Sequence, residues 1–98
     1  MKARLFFRHK HIYADGAIAE IRAWVVSRDK RTPEGYKYSL VYVDSKGKRL
    51  LGYDNAEGKG HHRHEGNREE SVKFDSVEEL VKRFLVEVQE MRRKSHES

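Results

Sequence analysis

Ser76-Val77-Glu78-Glu79-Leu80-Val81-Lys82-Arg83-Phe84-Leu85-Val86-Glu87-Val88-Gln89-Glu90-Met91 is the one long stretch of this chain with a helical period. Val77, Leu80, Val81, Phe84, Leu85, Val88 and Met91 recur at 3.6-residue spacing and form one apolar stripe. Ser76 and Glu79 stand as a capping box. The hydroxyl and the carboxylate can each bond a backbone N–H that the first turn leaves unpaired. Arg92, Arg93 and Lys94 close the segment, where positive charge suits the helix dipole. The remaining tail, 92–98, is expected to fray. A lone amphipathic helix must bury its stripe, and the only other apolar surface in the chain is a sheet. The expected contacts run through Leu80, Phe84, Leu85 and Val88.

Upstream the pattern changes to period two. Residues 2–13 read as a strand, with Ala3, Leu5 and Phe7 on one face and Phe6 breaking the alternation. Asp15-Gly16 signals a hairpin turn. Residues 17–27 return with Ala19, Ile21, Ala23 and Val25 on one face and Glu20, Arg22 and Trp24 on the other. After a charged connection ending in Pro33-Glu34-Gly35, Tyr36, Tyr38, Leu40 and Tyr42 line one face of a third strand. Ser45-Lys46-Gly47 turns into a fourth strand over 48–53. Residues 54–68 read as an irregular Gly- and His-rich segment, and 70–74 as a short fifth strand. The expected fold is α+β: an antiparallel sheet of four to five strands packed against one long C-terminal amphipathic helix. Residues 1–98 form a single domain in this reading, without repeat or linker.

The 98 residues include no cysteine, which excludes a disulfide framework and Cys-type zinc sites. No apolar run approaches the roughly 18 residues that span a membrane. The first residues contain no signal-peptide core, since Arg8, His9 and Lys10 interrupt it. A cytoplasmic protein is the simplest reading. The net charge of +5 is uneven: residues 1–49 hold twelve Lys/Arg against five Asp/Glu, whereas residues 50–98 hold nine against eleven. A basic half favours polyanion partners such as RNA, although a solvated charged surface has the same composition. His9 and His11 fit exposed strand positions, and Trp24 fits the edge of a core better than a base-stacking platform.

The chemistry concentrates in Gly52-Tyr53-Asp54-Asn55-Ala56-Glu57-Gly58-Lys59-Gly60-His61-His62-Arg63-His64. In an extended segment His62 and His64 point to one side. Two imidazoles on one face suit a general base and a general acid. RNA cleavage without a metal needs that pair: one group takes the 2′-hydroxyl proton and the other protonates the 5′-oxygen. Lys59 and Arg63 are close enough in sequence to stabilise the transition-state charge. Tyr53, Asp54, Asn55, Gly58 and Gly60 are read as positioning groups, with Lys37 adding charge from a neighbouring strand. His-x-His with Asp54, Glu57 or Glu65 is also a conceivable metal set. It matches no strict zinc spacing, and no metal or other cofactor is assigned. A surface histidine turn without chemistry explains the same residues equally well.

Gly35-Tyr36-Lys37-Tyr38, the Gly52–Gly60 stretch and His62-Arg63-His64 together resemble the TumE-like toxin family. Its pattern runs G-Y-K-Y, then G-Y-D-N-x-x-G-K-G-D-H-R-H, then a short strand and an amphipathic helix. The chain departs from that pattern at His61, where the family usually has Asp. The resemblance implies a toxin silenced by a cognate antitoxin, usually a helix-turn-helix DNA-binding protein encoded beside it. From the histidines and the basic half, not from the resemblance, RNA is the expected target and a ribonuclease the expected activity. No membrane is involved, and a homodimer is left open. The alternative is a non-catalytic module that holds nucleic acid or protein on the same basic Gly/His-rich surface.

Overall fold

The computed structural model describes residues 3–55 and 60–97. Among these, six strands form one antiparallel sheet in sequence order: β1 (Arg4–Ile12), β2 (Ile18–Val25), β3 (Tyr36–Val43), β4 (Arg49–Asp54), β5 (His62–Glu65) and β6 (Arg68–Ser71). One helix, α1 (Val77–Glu97), follows. The α+β class is as expected, with one strand more than the sequence suggested.

The added strand comes from the segment read as irregular. Residues 62–65 pair with β4, and Gly66-Asn67 turns the chain into β6. Gly66 sits at φ +59°, a conformation glycine reaches without steric cost. Gly-Asn between two short runs is itself a two-residue hairpin signal. The sparse apolar content of β5 and β6 hides it, because their side chains are mostly charged.

Alternation sorts the sheet into two faces. Ala19, Ile21 and Ala23 of β2, Tyr38, Leu40 and Tyr42 of β3, and Leu51 and Tyr53 of β4 are all buried toward α1. They meet Leu80, Phe84 and Val88 of the helix, so the expected core forms. Leu85 does not join it. It remains 43% exposed, on the flank of α1 beside Tyr13. The Ser76 hydroxyl accepts the Glu79 N–H at 3.0 Å, which is one half of the capping box. The Glu79 carboxylate instead faces Lys82 at 3.6 Å.

The C-terminal end is held rather than frayed at Arg92. Its guanidinium donates to the Asp15 carboxylate at 3.1 Å and to the Tyr42 hydroxyl at 3.0 Å, and lies 3.7 Å over the Tyr13 ring. Desolvation opposes its charge, and these partners more than offset it, holding its pKa above the usual arginine value. The first hairpin and the last helical turns are therefore tied together.

A bulge between Leu5 and Phe7 changes the reading of β1. Leu5 pairs with Trp24 on the open face, and Phe7 pairs with Ala23 on the helix side. These two side chains, expected on one face, lie on opposite faces. An extra residue in one strand of a pair shifts every side chain before it to the other side.

Candidate functional site on the open sheet face

α1 covers one face of the sheet, and no described element covers the other. Direct cross-strand pairing builds two rows across that open face. The first runs Arg8, Arg22, Ser39, Asp54, His62, Ser71, and the second runs Lys10, Glu20, Val41, Gly52, His64, Glu69. Residues directly opposite each other share a face, so His62 and His64 stand together with Asp54 and Glu69.

Each imidazole meets a carboxylate. His64 Nε2 lies 3.3 Å from Asp54 Oδ2, and His62 Nδ1 lies 3.2 Å from Glu69 Oε1. The other Glu69 oxygen reaches His64 Nδ1 at 3.9 Å. Both histidine side chains are about 15% exposed, at 16% and 15%, so they are sheltered but reachable. Both carboxylates thus stand at ion-pair distance from a ring nitrogen. Among the described residues, no group of three His, Asp or Glu side chains is arranged to hold a metal ion.

Gly52 lies beside His64 in the second row. A Cβ there would approach Arg49 Cδ at 3.2 Å, so the Arg49 stem lies over the glycine on the open face. The shift in pairing between Tyr42 and Val43 brings this about, by offsetting Arg49 relative to its own strand. Arg49 thus lies over the residue that pairs with His64, a placement the sequence reading did not give it. The available signal was a glycine inside a strand, which marks close approach by another group. Lys37 pairs with Trp24, so it shares the open face, one row beyond Arg22 and Ser39.

Arg63 lies on the other side. Alternation turns it toward α1, where its side chain is 8% exposed. Its guanidinium donates to Glu87 Oε2 from both Nε (3.0 Å) and Nη2, to Glu65 at 2.8 Å and to Glu70 at 3.2 Å. The expected phosphate contact is therefore replaced by a helix-to-sheet ion-pair network. Hydrogen bonds that Arg63 donates to Glu87 raise the Arg63 pKa above its usual value despite desolvation. Burial would raise the Glu87 carboxyl, but hydrogen bonds from Arg63 and Tyr53 outweigh it and hold the pKa below the ordinary value.

Tyr53 joins the same network. It is fully buried, packs edge-on against Phe84 and donates its hydroxyl to Glu87. Burial first, and the bond to Glu87 second, push its pKa up to about 12. It has no open face on which a base could stack.

Asn55 is also internal, 2% exposed. Its side-chain oxygen accepts the Tyr38 N–H at 3.0 Å, and its nitrogen donates to Tyr36 O at 2.7 Å and Glu34 Oε1 at 3.2 Å. It clamps the end of β4 to the start of β3 rather than facing a ligand. Gly60 is exposed, at φ +82°, two residues before β5. Gly58, Lys59 and Glu57 lie outside the described residues.

His61 is accounted for separately. Its Nδ1 lies 2.7 Å from the Tyr38 hydroxyl and its Nε2 3.4 Å from Glu34, and its ring stacks on Phe74 at 4.4 Å. These partners belong to the helix side and its rim. The departure at position 61 leaves the row of His62 and Asp54 intact.

A six-stranded sheet backed by one helix, with its polar His- and Arg-bearing face open, defines a small α+β protein with a candidate polyanion site. A family model described as Toxin TumE matches residues 1–92, and the chain belongs to that toxin family. A toxin family implies an antitoxin partner. Neither curated proteins nor solved structures gave a match. No described helix is long and apolar enough to cross a membrane.

Proposed function

We propose that this toxin cleaves RNA without a metal, using His62 and His64 as the proton-transferring pair. The observation that carries the reading is that both imidazoles share the uncovered sheet face, each against its own carboxylate. One imidazole takes the 2′-hydroxyl proton as that oxygen attacks the adjacent phosphorus. The other, protonated, gives its proton to the departing 5′-oxygen. The P–O5′ bond breaks, leaving a 2′,3′-cyclic phosphate and a 5′-hydroxyl. General acid–base help of this kind is worth about 10²–10⁴-fold.

Asp54 and Glu69 orient the rings. Arg49 supplies positive charge to the pentavalent phosphorus, the role first assigned to Arg63. Arg8, Arg22 and Lys37 lie on the same face and track the backbone. Lys59 and Gly58 keep their proposed phosphate roles from the sequence motif. The proposed setting is the cytoplasm, and the proposed antitoxin is a helix-turn-helix DNA-binding protein.

The test uses the purified chain, a defined single-stranded RNA and expression in cells. His62→Ala and His64→Ala abolish cleavage and growth inhibition while the thermal midpoint stays close to wild type. The rate passes through a maximum in pH, and EDTA leaves it unchanged. Loss of activity in EDTA with recovery on adding a divalent ion would reassign the histidines as ligands. Full toxicity in both alanine variants, with loss on Arg49→Ala, would make the protein a non-catalytic phosphate binder.

A further inference from the structure

β1 is a nine-residue edge strand whose residues are all exposed, and no described strand pairs with its outer side. A long exposed edge is a template for another strand. The surface on either side of it is specific. Toward α1, β1 presents Phe7, His9 and His11, the partners of Ala23, Ile21 and Ala19. The bulge adds Phe6, whose ring meets Tyr36 at 5.6 Å. α1 sits over β2, β3 and β4, so its flank and the helix-side face of β1 leave a groove between them.

Two hollows make up this groove. One, of about 390 Å³, lies among Phe6, Phe7, Val77 and Val81, with Glu78 and Lys82 at its charged margin. The other, of about 470 Å³, lies among Tyr13, Leu85, Gln89 and Arg92. The β1 side spans about 23 Å from Phe6 to Tyr13 at strand rise. The α1 side spans about 22 Å from Val77 to Arg92 at helical rise. The two walls run side by side over that length, with Phe6, Phe7 and Leu85 each 43–48% exposed.

The opposite side of β1 is basic. Arg8 and Lys10 face the open side, and Arg22 lies next to Arg8 on β2. Glu20 is the only carboxylate among these open-face neighbours, and it already accepts from both Arg8 and Arg22. A strand added to β1 would put alternate side chains over apolar Phe7 and Leu85 and the others beside Arg8 and Lys10. Its sequence would therefore alternate apolar with acidic residues.

A second copy of the chain does not meet that description. Antiparallel pairing of β1 with itself, centred on Arg8, His9 or Lys10, sets Arg8 against Arg8, Arg8 against Lys10, or Lys10 against Lys10. Like charges directly opposite one another destabilise a pair.

We propose that β1 and the β1–α1 groove form the docking site for an extended segment of the antitoxin, alternating apolar and acidic residues, which adds a seventh strand. The toxin reading supplies only the identity of the partner. The site shares Arg8 with the proposed RNA face, but it needs no RNA chemistry. Main-chain hydrogen bonds provide affinity, and the alternate side chains provide selectivity.

The experiment uses the full chain labelled with ¹⁵N and two capped nonapeptides, one alternating glutamate with valine and one alternating lysine with valine. The glutamate peptide shifts the amide signals of Phe7, Val81 and Leu85 and slows hydrogen exchange along β1. The lysine peptide does neither. Leu85→Lys and Phe7→Ser, at partly exposed side chains, each weaken binding by about tenfold and leave the thermal midpoint near wild type. Equal effects from both peptides, shifts confined to the His62/His64 face, or no slowing of exchange on β1 would overturn the proposal. So would protection of β1 without peptide that grows with protein concentration, which would make the occupant a second copy. No RNA enters this assay, so failure of the cleavage mechanism leaves its result untouched.

Discussion

Arg63→Ala removes the cation at the centre of the helix-to-sheet network and leaves its carboxylates behind. Glu65 and Glu70 are 43% and 46% exposed, so they return to water at little cost. Glu87 is 24% exposed and keeps the Tyr53 hydroxyl, with Arg83 at 3.8 Å. Breaking a buried ion pair by removing one partner costs about 3–5 kcal/mol, and this partial exposure puts the expected loss near 3 kcal/mol. For a domain of this size each kcal/mol moves the midpoint by about 4–8 °C, so the transition should fall by roughly 12–24 °C. Thermal and urea unfolding followed by circular dichroism measure this. The double variant Arg63→Met with Glu87→Gln should recover part of the loss, because the carboxylates it leaves unpaired, Glu65 and Glu70, are the half-exposed ones. An Arg63→Ala protein within about 1 kcal/mol of wild type, with a shallower salt dependence of RNA binding, would refute the argument and return Arg63 to the phosphate contacts.

Phe84→Ala, at a fully buried ring under Tyr53, should cost about 3–5 kcal/mol in urea unfolding. Asn55→Ala strands the buried Tyr38 N–H and should cost about 1–3 kcal/mol by the same measurement, with the open face unchanged. The depressed Glu87 pKa contributes stability above the ordinary glutamate value of 4.5, and that stability is lost as pH falls through the lower folded value. Glu87→Gln should flatten the acid side of the stability curve. Tyr53 has the opposite sign. Its raised pKa stabilises the neutral phenol, and the benefit fades as pH climbs past 10, so Tyr53→Phe should flatten the alkaline side. RNA binding should weaken steeply with salt. Alanine at Arg8, Arg22, Lys37 or Arg49 should each lower the slope by about 0.7, and Lys82→Ala on the helix should not.

The helix was legible because its signals are local: a Ser76 cap and an apolar residue at each turn. The faces of β2 and β3 were legible for the same reason. The alternation that put His62 and His64 together also separates Arg63 from them. That inference was available in the sequence, and the nearness of the residues along the chain obscured it. Leu85 shows the limit of the helical stripe. Period alone gives its angular position, whereas the width of the surface beneath α1 decides whether that position is covered.

The sequence by itself determined the helix and the first four strands, the turns at Asp15-Gly16 and Lys46-Gly47, the apolar faces of β2 and β3, and that two imidazoles share one side of residues 62–64 once that segment is extended. Propensity, capping and alternation depend on neighbours within a few residues. Only the tertiary structure decided that Asp54 and Glu69 meet those imidazoles, that Arg49 lies over Gly52, and that Arg63 and Tyr53 share Glu87. Each of these contacts depends on register or on the docking of α1. Register follows from where turns and bulges shift one strand against the next, and a shift of one residue exchanges the two faces of the sheet.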